Sequence, residues 1–389
     1  MSKNLILFLV VLNFSCNRVE KFENSSLEEI EIDLSETIDL RFTDFFDTTL
    51  IVPLEVTENS LLGEATKVIT TESFIFVLDR HVSESLYIFD YQGKLINFFS
   101  GTGNGPEEFL RVTNFYLSKD SDIVFIQDSS LSKILAFNFD GELIFEKKFD
   151  FRESFNDMIP YEDGYLILKP SLDNLSIELE YLDQNLDFVE TPLEFIENDF
   201  LLEAGSKFQF FYPGSDGDLF FKETLSSNLY LLNSGEYQVF SLEFPEDRIF
   251  SLSNLPWDDS KPSIHMVKLF QEIRFNNFLN LGDQVLDLGD LVFVNFYEGG
   301  RLGLLAFDKV ENKARIVSSF KNDMDGVIEN LPAIFPTNFQ ANQMIINLSP
   351  TEIYSSIEMR KGINPYQDYL TEILPSLEEN PVLFIYRKK

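Results

Sequence analysis

Apolar runs of four to six residues, rich in Phe, Ile, Val and Leu, recur along the chain between short polar breaks that carry Gly, Asn, Asp or Ser. Runs this short, with β-branched and aromatic residues, read as strands. One unit comprises Phe74 to Asp79, a break from His81 to Ser85, Leu86 to Asp90, a turn at Gln92, Gly93 and Lys94, and then Leu95 to Phe99. The next comprises Ile123 to Asp128, a break from Ser129 to Ser132, Lys133 to Phe137, a turn at Asp140, Gly141 and Glu142, and Leu143 to Phe145. Asp79 and Asp128 stand 49 residues apart, Gly93 and Gly141 48 apart. Each unit predicts three short strands, the last two joined by a tight hairpin turn. Such units recurring every 40 to 50 residues predict propeller blades.

Looser copies begin at Tyr165, Leu219, Leu291 and Gln343, which makes six units between about Leu50 and the C-terminus. The expected fold is therefore all-β, a six-bladed β-propeller over residues 50–389. The surplus length falls in two insertions, one between Phe240 and Gly289 and one from Pro350 to Leu377. The second has helical spacing at Ile353 and Ile357 and again at Tyr369 and Ile373, with prolines that divide it into two short helices. A propeller must join its ends or expose strand edges. The run Leu50 to Leu54 is expected to share a sheet with Val382 to Tyr386 and, because Pro53 lacks an N–H, to lie at its edge. The 41 phenylalanines among 389 residues then read as filler between blades.

The first sixteen residues differ. One lysine precedes an unbroken apolar run of eight, Leu5 to Leu12, far short of a membrane span. Ser15 and Cys16, the only cysteine, follow. The segment resembles a bacterial lipoprotein signal, in which the cysteine is lipidated and becomes the new N-terminus. Residues 1–16 are thus expected to be a signal peptide with its lipid attachment site at Cys16. From Asn17 to Ser60 there are 12 acidic and 3 basic residues, and residues 17–49 are expected to form an acidic tether. The whole chain carries 65 acidic against 30 basic residues, a formal charge of −35. That balance argues against binding nucleic acid or adhering electrostatically to anionic lipid. One cysteine excludes an intrachain disulfide framework and Cys-rich zinc modules.

Four segments carry a family resemblance. Phe76 to Asp79 with Phe89, Asp90, Gly93 and Lys94, then Gly101 to Phe109, resemble the first blades of the six-bladed β-propeller lipoproteins of Bacteroidetes, which are similar to NHL-repeat and TolB-like propellers. Asn322, Asp323, Asp325 and Gly326, and the ending Glu379, Asn380, Pro381, Val382 and Leu383, match the same family. The resemblance covers about Leu50 to Lys389. It implies the propeller fold and a lipid-anchored place in the cell envelope, at the outer membrane. It carries no catalytic residues to map.

The candidate chemistry is sparse. Gly101, Gly103 and Gly105 are followed by Pro106, which is neither a dinucleotide fingerprint nor a P-loop. An interblade loop is the better account, and its exposed face could still line a binding surface. Asp79 and Asp128 end equivalent strands. A ring of carboxylates could bind calcium, but an Asp accepting N–H bonds from the following turn is simpler. Asp120 with Asp122 and Asp216 with Asp218 lack the rest of a calcium loop and read as turns. His81 lies near the blade mouth and His265 in an insertion, and neither has a base partner legible in the sequence. Trp257 could anchor a sugar or protein, although loop packing suits it better. The expected function is an envelope-anchored binding or interaction module with a protein, peptide or carbohydrate ligand and no cofactor. The alternative is a lyase or hydrolase with a carboxylate or metal site at the central channel.

Overall fold

The computed structural model describes residues 23–120, 122–149, 155–170, 177–195, 209–222, 226–233, 235–249, 278–299, 301–328, 331, 338–340, 342–359, 370 and 380–389. The apolar runs are strands buried on both faces: every residue of Ile75–Asp79 and Ser85–Phe89 is buried. That is the environment of a sheet sandwiched between two others. Six such sheets follow one another around a central channel, and each runs antiparallel from an innermost to an outer strand.

Blade 1 orders Lys67–Thr70, Ile75–Asp79, Ser85–Phe89 and Leu95–Phe99 from inside out. Blade 2 is Asn114–Leu117, Ile123–Asp128, Lys133–Asn138 and Leu143–Lys148, and blade 3 is Asp157–Tyr161, Gly164–Pro170, Ile177–Leu182 and Phe188–Phe195. Blade 4 is Phe211–Pro213, Leu219–Lys222, Asn228–Asn233 and Glu236–Glu243. Blade 5 is Leu279–Asp287, Leu291–Glu298, Arg301–Asp308 and Lys313–Lys321. Blade 6 takes Asn338–Gln340, Gln343–Leu348 and Val382–Lys388 from the C-terminal region and its outer strand, Phe46–Pro53, from the N-terminal region.

The ring closes as expected. Phe46–Pro53 runs antiparallel to Val382–Lys388, with Leu50 opposite Ile385 and Pro53 opposite Val382, at the sheet edge. The motif residues near the C-terminus hold this seam. Asn380 Oδ1 accepts the Leu62 N–H at 2.8 Å, while its Nδ2 donates to Glu55 O at 2.8 Å and Ser60 O at 2.5 Å. Asn322 Nδ2 donates to Asp325 Oδ1 at 2.8 Å and to the Tyr386 hydroxyl at 3.1 Å.

Two expectations need correction. Each blade has four strands rather than three. The missing one is the innermost, only three to five residues long in blades 1–4 and 6, too short for its pattern to register. In blade 5 it is Leu279–Asp287, inside the segment read as an insertion. The second correction concerns residues 17–49, which are no free tether over their described part. Glu23–Glu31 lies parallel to Glu236–Glu243 as a fifth strand of blade 4, and Thr37–Arg41 lies parallel to Lys313–Lys321 as a fifth strand of blade 5. The period-2 alternation was present: exposed Glu29 and Glu31 alternate with buried Ile30 and Ile32. The segment straps blades 4, 5 and 6 and covers two strand edges.

Aromatic rings fill the wedges between blades. Phe76 meets Phe115 across blades 1 and 2, Phe125 meets Tyr165 across blades 2 and 3, and Phe240 meets Phe307 across blades 4 and 5, with ring centroids 6.2, 5.3 and 4.7 Å apart. The first expected helix of the C-terminal insertion is Pro350–Met359, entered through a capping box in which Ser349 and Glu352 bond each other's N–H groups. The second lies outside the described residues except at Leu370, as do Cys16, Trp257 and His265.

Candidate functional site

The innermost strands wall a cavity of about 630 Å³ between blades 1, 2, 3, 4 and 6. Among the described residues blade 5 contributes none to its lining. The mouth lies at the turns that leave the inner strands, lined by Lys119, Glu162, Gly217, Asp218 and Asn342. The deep end lies where those strands begin. Lys67, Asn114 and Asp157 are the first residues of the inner strands of blades 1, 2 and 3. They therefore form a polar layer at one level of the channel, with Lys67 and Asp157 lining the cavity.

Lys67 reaches across from blade 1 to blade 2. Its Nζ donates to Asn114 Oδ1 at 3.0 Å and to Phe115 O at 2.9 Å. The ammonium sits 4.6 Å from the Tyr116 ring centroid and 5.3 Å from that of Phe115. Burial pushes its pKa down to about 8, against the attraction of Asp157 and with further repulsion from Arg80. Asp157 moves the other way. Burial raises its carboxyl above the ordinary range, opposed by Lys67 and by the backbone N–H groups it binds. Its Oδ1 accepts Met158 N–H at 2.9 Å, and its Oδ2 accepts Phe210 N–H at 2.7 Å and Phe211 N–H at 3.1 Å. The carboxylate thus ties blade 3 to the start of blade 4. The Tyr116 hydroxyl donates to Gln127 Oε1 at 2.9 Å and accepts from Asn114 Nδ2 at 2.9 Å, and burial lifts its pKa well above the usual phenol value.

The residues singled out from sequence lie elsewhere. Asp79 is fully buried and accepts N–H groups from Gly63 (2.8 Å), Val82 (3.0 Å) and Ser83 (3.2 Å). Asp128 likewise accepts from Leu110 (2.7 Å), Ser130 (2.9 Å) and Leu131 (3.2 Å). Each carboxylate pins the turn after its strand to the loop entering its own blade, one blade apart from the other. His81 is exposed in the first of these turns. Gly103 and Gly105 lie in the loop between blades 1 and 2, where both the Gly103 N–H and the Thr102 N–H bond Phe109 O, and Gly105 N–H bonds Glu108 Oε2. Among the described residues no three of His, Cys, Asp and Glu come together in a way that could hold a metal ion.

Sequence reasoning missed Lys67, Tyr116 and Asp157 because it missed the inner strands. A signal existed: Lys67 and Asn114 are polar residues that open four-residue β runs, 12 and 14 residues before Asp79 and Asp128.

The family profile described as "Domain of unknown function (DUF4934)" matches residues 27–387. The chain belongs to the DUF4934 family. The match begins inside the strapping segment, so the strap is part of what the DUF4934 profile describes. A comparison with curated proteins finds no match. Among solved structures, the DUF4934 chain is similar to a candidate exported protein of Bacteroides fragilis at 16% identity, covering 93% of this chain and 100% of that one, with a TM-score of 0.67. It is also similar to a DUF4221-family protein of Bacteroides vulgatus at 11% identity, covering 92% and 99%, with a TM-score of 0.51. At these identities the likeness concerns the fold.

Proposed function

We propose that this DUF4934 protein is a binding module of the cell envelope, anchored through lipid on Cys16, that takes its ligand in the channel between blades 1, 2, 3, 4 and 6. The observation that carries the reading is the channel itself. It is a cavity of ligand size, about 630 Å³, with one cation at depth and apolar wall groups such as Met158, Ile159 and Phe211. The exported description of a structural neighbour supports an address beyond the cytoplasmic membrane. Cys16 after the apolar run Leu5 to Leu12 supports the anchor. Labelled palmitate should enter the wild-type protein and not Cys16→Ala. Native mass spectrometry of protein taken from its own envelope should show a bound small molecule that is lost in Ile159→Trp, which narrows the channel. A bare mass, or a ligand retained by Ile159→Trp, refutes the channel reading.

One observation favours the alternative, channel chemistry. Asp157 and Lys67 are titratable groups in a cavity with pKa values displaced toward each other, as acid–base sites often are. Against it, both Asp157 oxygens are occupied by backbone N–H groups, which suits a structural carboxylate. The binding reading expects the ligand to be recovered unchanged after incubation. Turnover that stops in Lys67→Met supports the enzyme.

A further inference from the structure

The charges along the channel are ordered. At depth, the Lys67 ammonium donates to neutral oxygens, those of Asn114 and Phe115, which leaves one of its three N–H groups without a hydrogen-bond acceptor among the described residues. The nearby carboxylate, Asp157, is committed to three backbone N–H groups. Among the described residues no carboxylate therefore pairs directly with Lys67. At the mouth Glu162 and Asp218 bring carboxylates to the rim, alongside Lys119, which donates to the Glu162 carbonyl at 2.7 Å, and Lys388, which bonds Ser215 Oγ at 2.8 Å in the adjoining turn. Between the two ends the wall is apolar at Met158, Ile159 and Phe211, and Asn233 and Asn342 bring amide groups to the mouth.

We propose that the channel binds a short free peptide as a zwitterion, with its C-terminal carboxylate against Lys67 and its N-terminal ammonium at the rim beside Glu162 and Asp218. The inference rests on the channel-binding reading above and adds the ligand class. A simple anion would satisfy Lys67 but would have to pass Glu162 and Asp218 on a protein with a formal charge of −35. A simple cation would suit the rim and meet Lys67 inside. A ligand with both charges, anion inward, suits both. Its length follows from the walls. Asp157 and Tyr161 are four residues apart on one inner strand, roughly 13 Å at about 3.3 Å per residue, and Glu162 opens the turn beyond it. An extended tripeptide spans about 7 Å between its outer Cα atoms and roughly 10 Å between its charged ends, which leaves a few ångströms, about one residue's rise, for the exposed Glu162 side chain to close. The groups facing Lys67 are Arg80 from its own blade, Tyr116 from blade 2 and Asp157 from blade 3. With its pKa near 8 the lysine is charged at neutral pH, and an incoming carboxylate supplies a direct ion pair beside the attraction of Asp157.

The test uses a mixed library of free tripeptides at pH 7, its C-terminally amidated counterpart and its N-acetylated counterpart, with retention read by native mass spectrometry and affinities by calorimetry. Free tripeptides should be retained. Amidation should weaken binding at least tenfold and acetylation about threefold to tenfold. Lys67→Met should bind free and amidated forms alike, and Glu162→Gln should lose most of the preference for the free amine. The melting temperature of each variant identifies one that has not folded, and the amide and acetyl comparisons on the wild type stand without any variant. Equal binding of free and amidated peptides, or an unaltered preference in folded Lys67→Met, overturns the proposal. If no tripeptide binds but the protein from its own envelope carries a different channel ligand, the ligand class falls and the channel reading stands. If neither is bound, both fall.

Discussion

The carboxylate of Asp79 offers the sharpest test of how the blades are joined. It is fully buried and accepts three N–H groups: two in the turn Val82–Ser83 and one from Gly63 in the segment entering the blade. Burial alone would raise its pKa, but the bonds from Val82, Gly63 and Ser83 outweigh that and hold it below the ordinary value. Hydrogen bonds to a charged group contribute about 1.5–3 kcal/mol each. The donors lie in turns that water can partly reach, so Asp79→Ala should cost about 3–5 kcal/mol in total. Asp79→Asn keeps one acceptor and should cost about 1–3 kcal/mol. At roughly 2 °C per kcal/mol for a chain of this size, the alanine variant should melt about 6–10 °C lower. Denaturant unfolding and calorimetry measure the difference, provided the transition is two-state. The sign with pH is fixed by the lowered pKa. The stabilisation is fully present above the unfolded carboxyl value of about 3.9 and is lost as pH falls through the lower folded value. The gap between wild type and Asp79→Asn should therefore be constant from pH 8 to about 5 and close progressively below about 4. A cost under about 1 kcal/mol for Asp79→Ala, or a gap that widens in acid, would refute the turn-pinning role.

Three further outcomes are expected. Gly93 has φ +80°, and a Cβ there would lie 1.8 Å from Pro53 O, so Gly93→Ala should cost at least about 2 kcal/mol by thermal melting. Asn380→Ala removes three hydrogen bonds at the ring seam and should cost about 2–4 kcal/mol in denaturant unfolding, with Asn380→Asp intermediate because it keeps the acceptor for Leu62. Deleting residues 23–41 uncovers the outer edges of blades 4 and 5, so light scattering should show self-association alongside a lower melting temperature. A monomer of unchanged stability would show that the strap is dispensable.

The fold was legible where periodicity was strong. Ile75–Asp79 and Ile123–Asp128 are fully or nearly fully buried, so their apolar runs announce strands, and their Gly turns at Gly93 and Gly141 have the positive φ that such hairpins favour. Pro53 correctly marked an edge. The channel was illegible because of the same geometry that opens it. An inner strand needs only three to five residues to reach across the channel wall, and its inward side chains face a cavity. Asn114–Leu117 and Asp157–Tyr161 therefore carry polar residues where the pattern asks for apolar ones. The strap was hidden by its charge: with acidic residues at every other position, Glu29 to Asp33 reads as solvated chain unless the intervening isoleucines are given weight. Asp79 and Asp128 show the opposite case, carboxylates whose chemistry is local and whose turn role was readable.

The strap also sets the order in which the molecule can assemble. Glu23 pairs with Glu236, Thr37 with Ile316 and Pro53 with Val382, each partner more than 200 residues downstream. As the chain emerges, its first strands have nothing to lie against until blades 4, 5 and 6 arrive in turn. Closing loops of that length costs entropy that only the completed pairing offsets. Blades 1 to 3 are built from sequence neighbours and can form first, whereas the last strand, Val382–Lys388, is the piece that captures Phe46–Pro53 and locks the ring. Folding should therefore be slow and its final step cooperative. A chain shortened by its last eight residues should keep local blades yet leave its N-terminal segment unpaired, open to proteases that spare it in the finished molecule.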